Sequence, residues 1–490
     1  MLSDKIKSVT LTTIIFLVLS FVYEMPHWLI QKPCSVHVWR QSDCASYALN
    51  YFQNERGFFS PQVHHRHAID GATCSEFPII YYTASKLYKW FGFNDYYIRW
   101  INYLILYAAL IAVTLTSVIV INNLILATFP AVLLMMSCII MYYGSNFLPD
   151  VPALSCALIG FYFFVKHSKS TRDSDIYIAI FFSVLAALLK ISSAILFIVI
   201  ALFVIYQRLI KKNLLYSRAH IFIIFSGFLT VFMWLIFVKV YNEMGQYFGN
   251  LQGTMGIWLT DKNTILYIIQ RTFTEWMPAM VSYKIWWFLV PVILYVIFHW
   301  KKLNEIFTFF LPFVALACIC YLLAFFAVFN VHDYYFINVF CFPVLLSIAF
   351  FHIIEQQLSV KQLRIFFALS FILFIMCAED TRAQFLFRRY DQGWNSVPPQ
   401  GFYGIEQYLR SLGIDRNTLI YSPSDPTTNV SLYLSNNPGW TNLFGTTVAD
   451  AKSRGAQYML IESSLLEQDS FKEYKEYIIG EHKGILIVKL

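Results

Sequence analysis

The chain has 490 residues, of which 58% are hydrophobic and 13% charged, with 47 Phe and a formal net charge of +7. A water-soluble globule carries about 45–50% apolar and ~25% charged residues, so this composition excludes one and indicates a polytopic membrane protein. The positive charge calls for no nucleic-acid partner, because most of the loop basic residues fall where cytoplasmic loops of a membrane protein should lie.

A short segment with Lys5 and Lys7 precedes the first apolar run, at 8–24, and no small-residue cleavage site follows it. It reads as an uncleaved first helix and not as a signal peptide. Further runs of membrane-crossing length lie at 98–121, 124–143, 151–167, 176–189, 192–209, 219–240, 285–300, 306–328, 335–354 and 363–378. A hydrocarbon core of ~30 Å needs about 20 apolar residues per helix, so about 11 transmembrane helices are expected. The pair at 176–189 and 192–209 brackets Lys190 and reads either as a hairpin with that charge at its outer tip or as one kinked element.

With a cytoplasmic N-terminus, the inner loops hold Lys166, Lys169, Arg172, Arg208, Lys211, Lys212, Arg218, Lys301, Lys302, Lys361 and Arg364. Four segments then lie outside: a long first loop at about 25–97, a turn at 144–150, a loop at 241–284 and a turn at 329–335. The segment from Glu379 onward is outside too. The expected localisation is the plasma (inner) membrane, multi-pass, with the active site and the C-terminal domain extracytoplasmic.

The expected domains are therefore 1–380, a transmembrane domain whose first outer loop carries the chemistry, and 381–490, a small soluble α/β domain. In the latter, Pro398-Pro399 marks a turn, and apolar runs at 418–421, 458–461 and 485–488 read as buried strands. Helical patterns lie at 404–412, 447–454 and 467–477. No internal repeat is visible, which counts mildly against a transporter built from inverted repeats.

The candidate chemistry starts in Trp39-Arg40-Gln41-Ser42-Asp43. If 39–52 is a surface helix, Trp39, Asp43 and Tyr47 share one face, and Arg40 sits one turn before Asp43. A carboxylate so placed can accept a proton from a hydroxyl; the alternative is an Arg40–Asp43 surface ion pair. Asp150, in Leu148-Pro149-Asp150-Val151-Pro152, suits a helix N-cap as well as a chemical role. Glu76 follows Ser75 and precedes Phe77-Pro78, a pattern that reads as a cap with an acid in the first turn.

Glu76 and the nearby His64 are candidate ligands for a divalent metal ion, the only cofactor considered, although their spacing matches no tight zinc signature and a solvated polar loop is the alternative. Cys34, Cys44 and Cys74 share the outer loop, where one disulfide among them is expected, the pair left open. Lys190 lies between apolar runs and suits either a lipid phosphate or snorkelling to the interface. His332 and Tyr335, in His332-Asp333-Tyr334-Tyr335, could bind phosphate or sugar, or anchor the chain at the interface.

In their order and shared sidedness, Trp-Arg-Gln-Ser-Asp, Glu-Phe-Pro, Leu-Pro-Asp-Val-Pro, Leu-Leu-Lys-Ile-Ser-Ser (188–193) and His-Asp-Tyr-Tyr resemble the motifs of the polyprenyl-phosphate-sugar-dependent glycosyltransferases of the C superfamily (GT-C). That group includes the protein O-mannosyltransferases and the lipid A aminoarabinose transferases. The resemblance covers roughly residues 1–380 and implies a GT-C-like arrangement of helices. It also implies an inverting transfer from a polyprenyl-phosphate sugar donor to a lipid, glycan or protein acceptor outside the membrane.

On that resemblance Asp43 is the general base, and Asp150 is a second acid that positions the acceptor or assists Asp43. Arg40, Lys190, His332 and Tyr335 contact the donor phosphate or sugar, and Glu76 occupies a metal or donor site. Two departures bear on the acceptor. Protein O-mannosyltransferases carry adjacent acids in this loop, whereas Cys44 follows Asp43; and 241–284 is too short for their β-trefoil domain. The pattern fits better with bacterial relatives that modify lipid A or other envelope glycans. The competing readings are an envelope glycan polymerase, which would depend more on outer arginines, and a lipid-linked-sugar transporter.

Overall fold

The computed structural model describes residues 2–247, 256–390 and 400–490, and the side chains from residue 5 onward. Pro398-Pro399, expected at a turn, lies outside the described residues. The chain divides into two compact units. One comprises Met1–Ile30, Arg99–Ile236 and Gln252–Phe387; the other comprises Gln31–Ile98, Phe237–Leu251 and Arg388–Leu490.

The membrane protein expected from composition is the one observed. Among the described residues, eight helices are long and apolar enough to cross a bilayer, and two bent helix pairs raise the number to ten. The sequence reading of about eleven included the run at 176–189. It forms the helix Asp173–Leu189, of 17 residues, which falls short of the others.

Each bent pair breaks at a serine. Leu124–Met135 and Cys138–Gly144 meet at 73°, where Ser137 Oγ caps the second helix by accepting from Ile140 N at 3.3 Å. Lys262–Met280 and Tyr283–Phe298 meet at 96°, where Ser282 Oγ accepts from Lys284 N. A serine cap satisfies a free N–H of the new helix and so favours a fresh start over continuation.

Within this unit the segments Asp150–Ser170 and Asp333–Gln357 are the most enclosed, each 72% buried over its apolar window, whereas Val360–Tyr390 is only 6% buried. The first two carry the Leu-Pro-Asp-Val-Pro and His-Asp-Tyr-Tyr motifs. Asp150–Ser170 and Asp173–Leu189 form an antiparallel hairpin that depends on Gly160. A Cβ there would lie 2.8 Å from Ser183 Oγ and 2.9 Å from the Ala179 carbonyl oxygen. Small residues let neighbouring membrane helices approach closely.

The other unit contains the helices Val38–Gln53 and Ile79–Phe91 and a five-stranded sheet. Its strands are β1 (Ile420–Ser422), β2 (Gly439–Thr441), β3 (Tyr458–Glu462), β4 (Ile478–His482) and β5 (Ile485–Lys489), in the order β2-β1-β3-β5-β4. β1 pairs in parallel with β2 and β3, and β5 runs antiparallel to β3 and β4. Tyr421, Met459, Ile461 and Val488 pack with Trp440 and Ala451 in its core.

The three strands expected from apolar runs are β1, β3 and β5. β2 and β4 escape that reading because both are edges, the first only three residues long and the second carrying exposed Ile478 and Ile479. The helices expected at 404–412 and 447–454 are Ile405–Ser411 and Val448–Ser453, the latter closed by a Thr447/Asp450 capping box. The pattern at 467–477 gives instead a 3-10 turn at Lys472–Tyr477.

Candidate active site

The candidate residues fall into two groups, one in each unit. The first is built on Val38–Gln53. Ahead of it, His37 adopts a left-handed conformation (φ 57°), and Gln41 ties the incoming loop down by donating to the carbonyls of Cys34 and Val36 at 2.6 and 2.9 Å. The helix then presents Arg40 and Asp43 one turn apart.

Arg40 does not form the surface ion pair with Asp43 that is the alternative to a chemical role. Its guanidinium binds the carboxylate of Glu76 and donates to Ser75 Oγ at 3.1 Å, while Ser75 also donates to Glu76. Ser75 and Glu76 are therefore not a cap and first turn, because the next helix starts later, at Ile79 behind Pro78. The carboxylate that could have served a helix dipole is taken by a charge-assisted bond, the stronger partner.

Asp43 is left with neutral donors. Its Oδ1 accepts from Thr428 Oγ1 at 3.4 Å, and the neighbouring Asn429 donates from its side chain to the Ser42 carbonyl at 3.4 Å. Burial pushes the Asp43 carboxyl up to about 7, against the opposing pull of the Arg40 charge and the Thr428 bond. Tyr247 lies near enough to feel the Asp43 charge, which adds to the effect of burial in raising its own phenol. Thr428 and Tyr247 carry no motif that would single them out in the sequence.

His64 is held for structure. Its Nδ1 meets Ser46 Oγ at 2.6 Å, its Nε2 meets Asn436 Oδ1 at 3.2 Å, and burial lowers the imidazole to about 4. Both ring nitrogens of His64 are engaged, and Glu76 is committed to Arg40. Among the described residues no three His, Cys, Asp or Glu side chains come together to hold a metal ion. The residues present do not fit the metal site considered from sequence.

The expected disulfide is absent too, since none of Cys34, Cys44 and Cys74 is joined to another cysteine. Cys44 is instead buried as a partner of Tyr81, whose hydroxyl donates to Sγ at 3.0 Å, and burial raises its thiol to about 12.

The second group sits at one end of the Asp150–Leu189 hairpin. Asp150 is the first residue of its helix, with Pro149 in the cap position, and Lys190 is the extended residue after the second helix (φ −155°, ψ 119°). Lys190 thus marks a break between Asp173–Leu189 and Ile195–Ile205, and it lies at the open end of the Asp150–Leu189 hairpin, not at the tip of one formed by 176–189 and 192–209. Its Nζ lies 3.2 Å from Asp150 Oδ1, with side-chain exposures of 11% and 1%. A carboxylate so buried is costly without a counter-ion, and Lys190 supplies it.

The His-Asp-Tyr-Tyr turn closes over this pair. Lys190 Nζ lies 4.7 Å from the centre of the Tyr335 ring and 5.4 Å from that of Tyr334, within cation–π range. The His332 ring stacks at an angle against both, at 5.1 Å from Tyr334 and 6.0 Å from Tyr335. Tyr143 donates to Asp333 at 2.6 Å, and Tyr321 to the Tyr335 carbonyl at 2.9 Å. Asn338 ties the two motifs together, donating to Ser192 at 2.7 Å and accepting from Ser193. Three of the motifs separated in sequence, at 148–152, 188–193 and 332–335, are therefore one cluster.

No protein-family model matches the chain, and no curated protein matches it in sequence. Solved structures do. ArnT from Cupriavidus metallidurans in the apo state aligns with a TM-score of 0.62 at 12% identity, covering 98% of this chain and 97% of that one. The same enzyme bound to undecaprenyl phosphate aligns with a TM-score of 0.62 at 10% identity and the same coverage. An oligosaccharyltransferase from Archaeoglobus fulgidus, tethered to an acceptor peptide, aligns with a TM-score of 0.49 at 10% identity, covering 91% of this chain and 69% of that one. With the apolar helices, the small sheet and the overlap over 98% of the chain together, the chain has an ArnT-like fold.

Proposed function

We propose that the protein transfers a sugar from a polyprenyl-phosphate donor to an envelope acceptor (lipid A, a surface glycan or a protein) at the extracytoplasmic face of the inner membrane, with Asp43 as general base. The observation that carries this is the Asp43 carboxyl itself, partly buried, bonded by neutral donors and held at about 7. A general base works best with a pKa near the working pH, where it is largely ionised and still holds a proton well. The likeness to a fold solved with undecaprenyl phosphate supports the donor class.

The acceptor hydroxyl oxygen forms a bond to the anomeric carbon as the bond from that carbon to the phosphate oxygen breaks. The hydroxyl proton passes to Asp43, and polyprenyl phosphate leaves with the electron pair. One displacement inverts the anomeric centre and needs no protein nucleophile. Lys190 is the cation offered to the departing phosphate, and Asp150 holds it in place until the phosphate competes for it. Tyr335 and His332 line the same cluster and contact the donor. Arg40, bound to Glu76, acts by holding the loop around Asp43.

The test is transfer of label from a panel of radiolabelled polyprenyl-phosphate sugars to an envelope acceptor fraction, wild type against Asp43→Asn. Transfer by the wild type and not by folded Asp43→Asn supports the proposal. An active Asp43→Asn removes the base, and a folded wild type inert with every donor removes the transferase.

A further inference from the structure

The unit that carries Asp43 contains an open polar cavity of about 640 Å³. Three guanidinium groups line it, from Arg56, Arg66 and Arg416, with the carboxylates of Glu55 and Asp70; the remaining lining groups are side-chain amides, Gln53 among them. The lining thus has one more cation than anions. Guanidinium forks suit carboxylate and phosphate, whereas carboxylates and amides suit hydroxyl groups.

The cavity is built, not left over. The backbone of Arg66 is fastened to β2, its N–H donating to the Gly439 carbonyl at 2.6 Å and its carbonyl accepting from the Trp440 indole at 3.0 Å. Arg416 donates to the Gln53 carbonyl at 3.2 Å, which fixes the opposite wall. Gly71 (φ +69°) lets the loop close over Arg66, since a Cβ there would lie 2.2 Å from the Val63 carbonyl oxygen and 2.8 Å from Arg66 Nη1. That Nη1 is buried against Gly71, which holds the guanidinium in place beside the Asp70 carboxylate.

Gln53 is the last residue of the helix that carries Asp43, ten residues earlier, which is about 15 Å along the axis. An extended acceptor can therefore hold one sugar here while a hydroxyl further along it reaches Asp43.

We propose that this cavity binds an acidic sugar, a saccharide bearing a carboxylate or phosphate, and so fixes the acceptor as an anionic glycan. This second step rests on the transferase reading, but the binding does not. The test is isothermal titration of the full-length protein in detergent with glucuronate, glucose 1-phosphate, glucose and inorganic phosphate, at low and high salt. Binding of either acidic sugar, with glucose at least tenfold weaker, supports the site, and which one binds tells carboxylate from phosphate.

Arg56→Gln alters an exposed residue and should weaken binding about tenfold with no change in melting temperature; Arg66→Met should abolish it. Equal binding of glucose, no binding by the wild type, or binding unchanged in both variants overturns the site. Inorganic phosphate as tight as glucose 1-phosphate reduces it to an anion site and overturns the saccharide. Asp43→Asn should bind as the wild type does while losing transfer, whereas a wild type that titrates normally but moves no label counts against the transferase chemistry alone and leaves the site standing.

Discussion

Arg40 is bonded to Glu76, 36 residues further along the chain, although Asp43 lies one helical turn away. That choice leaves Asp43 without a direct cation and lets burial hold its carboxyl at about 7, well above the range of an exposed aspartate.

Transfer should therefore rise with pH through about 7 as Asp43 ionises, and level off above it. The pH dependence of kcat/KM for the donor measures this. Stability should run the other way. A raised carboxyl pKa means that the folded state binds more protons, so stability is lost between roughly pH 4 and pH 7. Asp43→Asn should accordingly melt higher than the wild type at pH 8, with the difference shrinking towards pH 4. A melting profile without that convergence would place the titration elsewhere.

Glu76→Gln should move the acid limb of the pH profile downwards, because the Glu76 charge raises Asp43 and its removal relaxes it. The same change leaves Arg40 with a weaker partner, at a cost of about 1–3 kcal/mol. Shifted activity at reduced stability is the expected pair of results, and an unmoved limb would separate Glu76 from the base.

Lys190→Ala should raise the donor KM and lower stability, since the buried Asp150 loses its lysine, a loss of roughly 3–5 kcal/mol. Adding Asp150→Asn should restore most of the stability and none of the donor binding. A double variant that recovers both would make the pair purely structural.

Gly160→Ala should push the two hairpin helices apart, because the added methyl group meets a backbone carbonyl that cannot rotate away. Overpacking of this kind costs about 1–3 kcal/mol. A lowered melting temperature with a raised donor KM is expected, as the hairpin is what brings Lys190 to Asp150.

The spans were legible because an apolar run long enough for a bilayer is a local signal, and each of the eleven runs corresponds to a helix or to part of a bent pair. The motifs were legible as a set because short charged and aromatic clusters recur between the apolar runs. Tertiary choices were not. Helical spacing favours Arg40 with Asp43, and only the fold brings Glu76 closer. Thr428 reaches Asp43 across 385 residues and carries no motif of its own, so nothing local marks it. His64 looked like a ligand because imidazole beside a carboxylate suggests one, whereas Ser46 and Asn436 engage both its nitrogens.

The Asp150–Lys190 pair also makes the hairpin a caliper. Its jaws meet because the two helices have fixed lengths, 21 and 17 residues, and run back along each other. Each residue turns a helix by about 100° and lengthens it by ~1.5 Å. One residue inserted anywhere in Asp173–Leu189 would swing Lys190 a quarter turn off its partner with no side chain in the cluster altered. The length of that helix is as much a part of the Asp150–Lys190 cluster as the lysine it carries.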